Sequence, residues 1–324
     1  MERFWPDESI EFETSISGAL RRAGAVDAAR ACEADPSRRV PTIGSVMEAL
    51  EVESLDVAGE LAVAASAALA ARAAGAVACP WPVVQRLAVP PSLRDTIDAV
   101  DLYDHRPPRR LAHLDLFELP AAFDIRSGVL RRVHAVGPIE PMPLDPFGVP
   151  CELGEELVAV DGIMERHIVL AGFWTHGALS TAATLAAEHA RDRHQFGRPI
   201  SQFGAIQWHL SEIAKACDGL GELAAFSLLR VAEGRLSTAD ALALRLATQD
   251  AAKLVLHAGH QILAAIGLCE EHDLTVLDRH LQALVQRPCN ASVTLALLTQ
   301  AIAEDGFDAI YPIPGASVAA GETA

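Results

Sequence analysis

An alanine-rich run over residues 58–78 is the feature that most constrains the fold of this 324-residue chain. Alanine is the best helix former and a poor strand former, so the run predicts a helix. Hydrophobic residues make up 51% of the chain and aromatic residues only 5%, which favours closely packed helices over a β-sandwich. The run contains Glu60 and Arg72, and alanine transfers weakly into lipid. We therefore predict a packed bundle helix rather than a membrane span.

The charge balance excludes two classes of partner. The chain carries 43 acidic and 26 basic residues, which gives a net charge of −17. A surface this negative repels phosphate backbones and anionic lipid, so we expect neither nucleic acid nor a membrane as a partner. The six cysteines form no CxxC pair, and the N-terminus lacks the pattern of a signal peptide. Both observations favour a soluble protein of the reducing cytoplasm.

One pair of histidines has the spacing of metal ligands. His257 and His260 are three residues apart and could share a metal ion on one helix face. No third ligand lies at helical spacing with them. We therefore predict no metal site.

The spacing of apolar residues and the positions of the prolines divide the chain into four predicted regions. Residues 1–86 are predicted as an N-terminal helical domain and residues 87–150 as a small, proline-rich β-region. Residues 151–308 are predicted as an antiparallel four-helix-type bundle, helical almost throughout from Glu152. Residues 309–324 are predicted as an irregular tail. The predicted helices cover residues 9–32, 45–50, 55–77, 162–191, 203–234, 239–266, 274–285 and 291–303. The predicted strands lie near residues 96–103, 122–125 and 129–136.

One run of residues suggests a binding chemistry. Residues 191–200 read Arg-Asp-Arg-His-Gln-Phe-Gly-Arg-Pro-Ile and join one long predicted helix to the next. An arginine, an amide and an aromatic ring fixed at a helix junction can bind a pyrophosphate and pack on the flat parts of a dinucleotide. A plain helix connection with incidental charges would explain the turn, but not the whole run.

This run resembles the RxQFGxPIxxFQ signature in the C-terminal bundle of the acyl-CoA dehydrogenases. Gln261-Ile-Leu-Ala-Ala-Ile-Gly267 is similar to the QxxGGxG motif of the same family. Glu271-His-Asp-Leu, followed by Arg279, resembles the ending found in the acyl-CoA dehydrogenases that actinobacteria use on steroid side chains. The resemblance implies a mainly α fold with a small β-region. In order, it has an N-terminal helical domain, a reduced middle β-domain and a C-terminal antiparallel helical bundle.

The resemblance also implies a cofactor and a reaction. Family members hold FAD and remove the α and β hydrogens of an acyl-CoA, with a glutamate as base for the α proton. Their arginine and QxxGGxG segments reach across a subunit interface to the FAD of the neighbouring subunit. The FAD-binding residues implied here are Arg193, Gln195, Phe196, Phe203, Gln261, Ala264, Ala265 and Gly267.

The sequence departs from the family pattern at four places. The TEPxAGSD-like strand motif, which binds the flavin ring and substrate, is missing between Pro90 and Cys151. The double glycine of the family is replaced by Ala264 and Ala265, and Gly204 stands where the family has glutamine. The late catalytic glutamate is also missing, because the equivalent stretch over residues 284–288 reads Leu-Val-Gln-Arg-Pro.

Glu165 is the one candidate for a catalytic base in this chain. Residues 165–172, Glu-Arg-His-Ile-Val-Leu-Ala-Gly, are similar to the segment in which some family members carry the base. Counting back from Gly177 and Arg193, however, the base position falls on His167. At about 100° per residue, Glu165 is then on roughly the opposite helix face. We expect an exposed glutamate in the first helical turn and a base on a partner chain.

These observations lead to one leading hypothesis and two alternatives. The chain resembles the reduced subunit of a heteromeric α2β2 acyl-CoA dehydrogenase. A sister subunit would supply the flavin-ring contacts and the base for a bulky acyl-CoA, such as a steroid side-chain thioester. One alternative is a self-sufficient homo-oligomeric acyl-CoA dehydrogenase with Glu165 as base. The other is a flavin-free structural subunit that stabilises its partner.

Overall fold

The computed structural model describes residues 5–305, so the predicted irregular tail lies outside the described residues. The α-helices are α1 Asp7–Arg22, α2 Val26–Ala34, α3 Ser45–Ala49, α4 Leu61–Ala76, α5 Val83–Leu87, α6 Ile163–Asp192, α7 Gly204–Ala232, α8 Thr238–Leu263, α9 Asp273–Val285 and α10 Ala291–Asp305. The β-strands are β1 Ala99–Tyr103, β2 Arg110–Ala112, β3 Pro120–Asp124, β4 Leu130–Ala135, β5 Gly148–Leu157, β6 His194–Gln195 and β7 Arg198–Pro199.

The helices of the first 90 residues differ from the predicted ones at two turns. The predicted helix over residues 9–32 is interrupted between α1 and α2 at Gly24, whose φ of 118° favours glycine. The predicted helix over residues 55–77 begins only at Leu61. The residues before it form a turn in which the Asp56 carboxylate accepts a hydrogen bond from the Ala58 N–H, 3.0 Å away. Local hydrogen bonding of this kind competes with the first helical turn.

The backbones of α4 and α6 cross in direct contact. A Cβ atom at Gly75 would lie 1.8 Å from the carbonyl oxygen of Trp174, and one at Gly177 would lie 2.0 Å from that of Arg72. Only glycine therefore fits at either position. The alanines of α4 are almost all buried around this crossing, as the alanine-rich run predicts.

Between the two helical regions, the described strands form a five-stranded sheet in the order β1-β3-β4-β5-β2. β1 and β3 are parallel, whereas the other neighbouring strands are antiparallel. The predicted strands near residues 96–103, 122–125 and 129–136 correspond to β1, β3 and β4. The sequence patterns do not predict β2 or β5.

The prediction that the chain is helical from Glu152 is wrong for residues 152–157. These residues are the second half of β5, which pairs with β4. Their glutamates favour a helix locally, but here they contact basic side chains of β4. Glu155 lies 3.5 Å from Arg132, and Glu156 lies 3.2 Å from Arg131. Cross-strand pairing therefore outweighs the local helix propensity.

The C-terminal helices follow the sequence pattern closely. Ile213, Cys217, Leu220 and Leu228 of α7 are buried along one stripe. Ser237 caps α8, because its hydroxyl accepts a hydrogen bond from the Asp240 N–H and donates one to the Asp240 carboxylate. The apolar spacing and the capping residue thus predict both helices.

Two described segments are long and apolar enough to cross a membrane by length and composition, namely Ile163–Asp192 and Thr238–Leu268. In the most apolar window of each, 67% and 50% of the residues are buried inside the protein. Buried core helices of a bundle pass the same test, so the two segments are weak support for a membrane span.

The helix crossing makes a stability prediction. We expect Gly177→Ala to lower the free energy of unfolding by about 2–3 kcal/mol or more. The new methyl group would collide with the backbone of α4, which cannot move away as a flexible side chain could. Gly219→Ala on α7 is the matched control. Nothing lies within 4 Å of its added Cβ, and it should raise stability by up to about 1 kcal/mol. Urea unfolding of both variants measures the difference, and equal stabilities would contradict the crossing.

Candidate functional site

The predicted arginine motif forms an exposed β-hairpin. β6 pairs with β7, and Phe196 and Gly197 form the turn between them with φ of 52° and 79°. Two positive φ values are typical of a type I′ turn, which asparagine or glycine usually occupies. Phe196 instead places a large ring at a strained position, and 92% of it is exposed. The strain at this exposed ring makes the hairpin a candidate binding surface.

The side chains around this turn are open to a ligand. Arg193 and Gln195 are exposed, and neither side chain makes a hydrogen bond within the described residues. Phe203 follows the hairpin, and its ring meets that of Phe196 edge to face, with centroids 6.1 Å apart. The guanidinium of Arg198 lies 4.3 Å from the centroid of the Phe203 ring. Four residues predicted to bind FAD thus lie on one surface, with a fixed aromatic platform beside a free arginine and a free amide.

The second predicted segment lies at the end of α8. Gln261, Ala264 and Ala265 are exposed, whereas Gly267 is buried. Ala264 has φ of 53° and ψ of −134°, a conformation that glycine adopts far more easily. The backbone here thus has a conformation that suits glycine, although the residue is an alanine. Within residues 5–305, no hydrogen bond joins this segment to the hairpin.

The third motif has a structural role. Asp273 lies 2.5 Å from the guanidinium of Arg30 in α2, and His272 caps α9 by accepting a hydrogen bond from the Leu274 N–H. Arg279 also binds α2, 2.8 Å from Glu33. These contacts hold α9 against the N-terminal helices. They explain the motif without a ligand.

Glu165 is not the exposed residue that the sequence predicts. It lies in the first turn of α6, half-buried, and Thr238 Oγ1 donates a hydrogen bond of 3.4 Å to its Oε1. Burial raises the pKa of the Glu165 carboxyl. The side chain lines an open groove of about 810 Å³ together with Val160 and Leu236. The expectation failed because the α7–α8 connection, distant in sequence, covers this turn.

His167 faces a different space. It is 4% exposed and lines a cavity of about 50 Å³ together with Asp101 and Arg287. Its Nε2 lies 3.6 Å from Asp101, and neither ring nitrogen has a hydrogen-bond partner among the described residues. Burial lowers the pKa of the imidazole to about 4, which keeps it neutral. A cavity of this size holds a few water molecules but no acyl chain.

Two arginines lie in this region, and one of them, the half-buried Arg287, lines the cavity. Arg287 lies 3.5 Å from Asp101 and 2.9 Å from Asp145. Arg245, which is buried, donates hydrogen bonds to the carbonyl oxygens of Leu284, Val285, Arg287 and Cys289. Burial lowers the pKa of Arg245 to about 10. Sequence reasoning missed both arginines, because their partners are distant in sequence and no local pattern marks them.

The predicted histidine pair does not form a metal cluster with other side chains. In the part of the chain that is described, no group of three or more His, Cys, Asp or Glu side chains could hold a metal ion. His260 instead lies 3.3 Å from Asp278.

Comparison with known proteins gives matches to one family and fold. Residues 159–287 match the family model described as acyl-CoA dehydrogenase, C-terminal domain. The solved structure of the Tcur3481-Tcur3483 steroid ACAD has a TM-score of 0.76 at 15% identity, covering 93% of this chain and 99% of that chain. The chain has the acyl-CoA dehydrogenase fold. The predicted fold class is confirmed, and the matches support the acyl-CoA dehydrogenase family.

Other proteins with the acyl-CoA dehydrogenase fold give the same result. The ChsE4-ChsE5 complex from Mycobacterium tuberculosis has a TM-score of 0.73 at 13% identity, covering 94% of this chain and 99% of that chain. Butyryl-CoA dehydrogenase from Megasphaera elsdenii has a TM-score of 0.65 at 13% identity, covering 94% and 100%. By sequence, AidB of Escherichia coli (strain K12), named as an acyl-CoA dehydrogenase, is 32% identical over 135 residues. That match spans 40% of this chain and only 24% of AidB.

The buried imidazole makes a prediction about pH. Because the pKa of His167 is about 4 in the folded chain and about 6.5 in an unfolded one, the unfolded chain binds the proton first as the pH falls. Stability is therefore lost between about pH 6.5 and 4. In the wild-type chain, this proton binding lowers the free energy of unfolding by about 2 kcal/mol between pH 7 and pH 5. We expect this decrease to be absent in His167→Gln.

Denaturant unfolding at several pH values measures this effect. The exposed His257 provides the matched control, and His257→Gln should keep the pH dependence of the wild-type chain. An unchanged pH dependence in His167→Gln would show that the imidazole is not held neutral.

Proposed function

We propose that this chain is the reduced subunit of a heteromeric FAD-dependent acyl-CoA dehydrogenase. Its hairpin and the end of α8 would bind one half of an FAD. A catalytic sister subunit would supply the contacts to the flavin ring and the catalytic base. The observation that carries the proposal is the position of the hairpin relative to the base position. α6 has 30 residues, so at about 1.5 Å per residue roughly 40 Å separates Arg193 from His167. A dinucleotide held by the hairpin is too short to present its flavin at His167 of the same chain.

The side chains present fit one half of FAD. The guanidinium of Arg193 and the amide of Gln195 are free to bind the pyrophosphate, and Phe196 and Phe203 offer apolar faces to the adenosine half. Gln261 and the backbone of Ala264, Ala265 and Gly267 are proposed to extend this surface across the interface. When bound, FAD would supply hydride acceptance from the β-carbon of an acyl-CoA.

The surroundings of the base position support the proposal that the other half of the catalytic site lies on a partner. At the base position, a neutral imidazole lies in a cavity of about 50 Å³ that Arg287 lines. Because burial lowers the pKa of this imidazole to about 4, it is no stronger a base than an ordinary carboxylate, and the cavity leaves no room for a thioester. The base and the acyl-CoA site are therefore proposed to lie on the partner.

The solved relatives support the partner and the substrate class. One structure is of a steroid ACAD with two named components, and another is of the ChsE4-ChsE5 complex. By analogy, we propose an α2β2 assembly acting on a bulky acyl-CoA, such as a steroid side-chain thioester. We also propose a cytoplasmic location. The cysteines of residues 5–305 are free thiols, and most of them are buried.

A second candidate function rests on Glu165. Its raised pKa and its position in an open groove of about 810 Å³ are features of some catalytic carboxyls. They favour a self-sufficient homo-oligomeric acyl-CoA dehydrogenase with Glu165 as base. The groove does not contain His167, which lines the separate cavity described above. A flavin-free structural subunit is the remaining alternative.

Co-expression tests the leading proposal. We expect the chain expressed alone to be poorly soluble or free of flavin, because it has only half of the site. Together with its sister subunit it should give a soluble yellow complex, detected by flavin absorbance at a known protein concentration. Stoichiometric FAD in a homo-oligomer of this chain would favour the Glu165 alternative. If the complex retains its flavin and this chain contributes nothing to flavin binding, the flavin-free structural subunit is favoured.

The hairpin can be tested by one substitution in the complex. We expect Arg193→Ala to weaken FAD binding about tenfold to a hundredfold, since a charge-assisted hydrogen bond contributes about 1.5–3 kcal/mol. Arg191→Ala is the matched control, because Arg191 is equally exposed but lies in the last turn of α6. Arg198 is unsuitable as a control, because it packs on Phe203. Equal retention of FAD by both variants after dilution and filtration would argue against the hairpin.

A further inference from the structure

The segment that follows α8 is short, exposed and strained. Residues 264–268 form a single 3₁₀ turn, which begins at Ala264 with φ of 53° and ψ of −134°. Four of the five residues are exposed, so the segment gains little from burial of its own side chains. A strained conformation persists only where the surrounding structure holds it. Contacts from other elements must therefore fix this segment.

The first turn of α9 provides one of these contacts. The half-buried Thr275 donates its hydroxyl hydrogen to two carbonyl oxygens, those of Gly267 and Cys269, each 2.9 Å from Oγ1. A hydroxyl has one proton, so this is a single hydrogen bond shared between two acceptors. The hydroxyl thus joins the last turn of the segment to α9.

His260 supports the same segment from the last turn of α8. A Cβ atom at Gly267 would lie 3.5 Å from His260 Nδ1, so the imidazole ring packs against the backbone of Gly267. At the other side of the ring, Nε2 lies 3.3 Å from Oδ2 of Asp278. The Oδ1 atom of Asp278 accepts a hydrogen bond of 2.7 Å from Gln282 Nε2, which fixes the carboxylate. Asp278 is three residues after Thr275, so one face of α9 supports the segment at two points.

The helix that provides this support is anchored to the N-terminal helices. Arg30 and Glu33 of α2 form ion pairs with Asp273 and Arg279 of α9. The pair between Glu33 and Arg279 is half-buried, so salt screens it less than it would an exposed pair. α9 is therefore fixed by contacts within the chain, and no cofactor is needed to place it.

We propose that Thr275 and His260 are positioning residues for FAD binding. They hold residues 264–268 in the conformation that the cofactor recognises, so binding needs no further ordering of the segment. The inference rests on the function proposed above, in which this segment contacts FAD. The apparent affinity for a ligand falls with the fraction of the protein that is competent to bind it. Loss of either support therefore weakens FAD binding, although neither side chain is itself proposed to touch FAD.

Three substitutions test the Thr275 hydroxyl by titration of FAD into the flavin-free complex with the sister subunit. Thr275→Val removes the hydroxyl, and we expect it to bind FAD about threefold to tenfold more weakly. Thr275→Ser restores the hydroxyl and should bind FAD within about twofold of the wild type. Thr248→Val is the matched control, because the Thr248 hydroxyl donates only to the Leu244 carbonyl oxygen of its own helix, 2.8 Å away. Equal weakening by Thr275→Val and either of the other two variants would overturn the role of the hydroxyl.

The two histidines of α8 that are three residues apart form a second matched pair of variants. His260→Ala removes the ring that packs against Gly267, and we expect FAD to bind at least about threefold more weakly. His257→Ala removes an exposed ring of the same helix and should leave the affinity unchanged. Equal affinities of the two variants for FAD would overturn the role of His260.

Hydrogen exchange gives a readout that needs no bound cofactor. In the flavin-free complex, we expect the amides of residues 264–269 to exchange several-fold faster in Thr275→Val than in the wild type. The amides of α6 should exchange at the wild-type rate in both. Unchanged exchange in the segment would show that Thr275 does not hold it. Faster exchange with unchanged FAD affinity would overturn the positioning role.

Arg193→Ala separates this inference from the proposed function. If Arg193→Ala weakens FAD binding and Thr275→Val does not, the hairpin binds FAD and the positioning role is wrong. If Thr275→Val weakens FAD binding and Arg193→Ala does not, the hairpin contact is wrong and the positioning role stands. Unchanged FAD affinity in both variants would overturn both proposals.

Discussion

The close crossing of α4 and α6 is the contact on which the rest of the molecule depends. Gly75 and Gly177 let two backbones approach until no side chain fits between them. This contact fixes the middle of α6, a single helix of 30 residues that carries the base position near one end and the hairpin at the other. The position of each end therefore follows from the crossing. The separation of the two ends is the reason we propose that the hairpin serves another chain.

The charges beneath the sheet are largely compensated within the chain. Buried ions destabilise a protein unless they are paired and hydrogen-bonded. Arg245 meets this condition through backbone carbonyl oxygens, and Arg287 meets it through Asp101 and Asp145. His167 avoids the cost by remaining neutral. The two arginines are thus compensated within the chain, whereas the ring nitrogens of His167 have no hydrogen-bond partner among the described residues.

The sequence predicts elements whose signals are local and misses those whose causes are distant. The Ser237 cap and the apolar stripe of α7 depend on neighbouring residues, and both helices form where the pattern places them. The second half of β5 has helix-favouring glutamates and becomes a strand only because β4 lies beside it. The burial of Glu165 depends on Thr238, 73 residues further along the chain. Hydrophobic period and capping chemistry carry no information about such contacts.

The same division explains which parts of the candidate site could be predicted. The hairpin and the end of α8 are recognisable because their motifs are continuous, and both contain a backbone conformation that the local residue type disfavours. Phe196 and Ala264 have φ of 52° and 53°, where asparagine or glycine would be less strained. Strained residues persist when the surrounding structure holds them in place, and they concentrate at functional sites. Here both lie on exposed surface in motifs assigned to one cofactor. The surrounding structure offsets their strain, and strain kept at two exposed motifs favours a binding role for both segments.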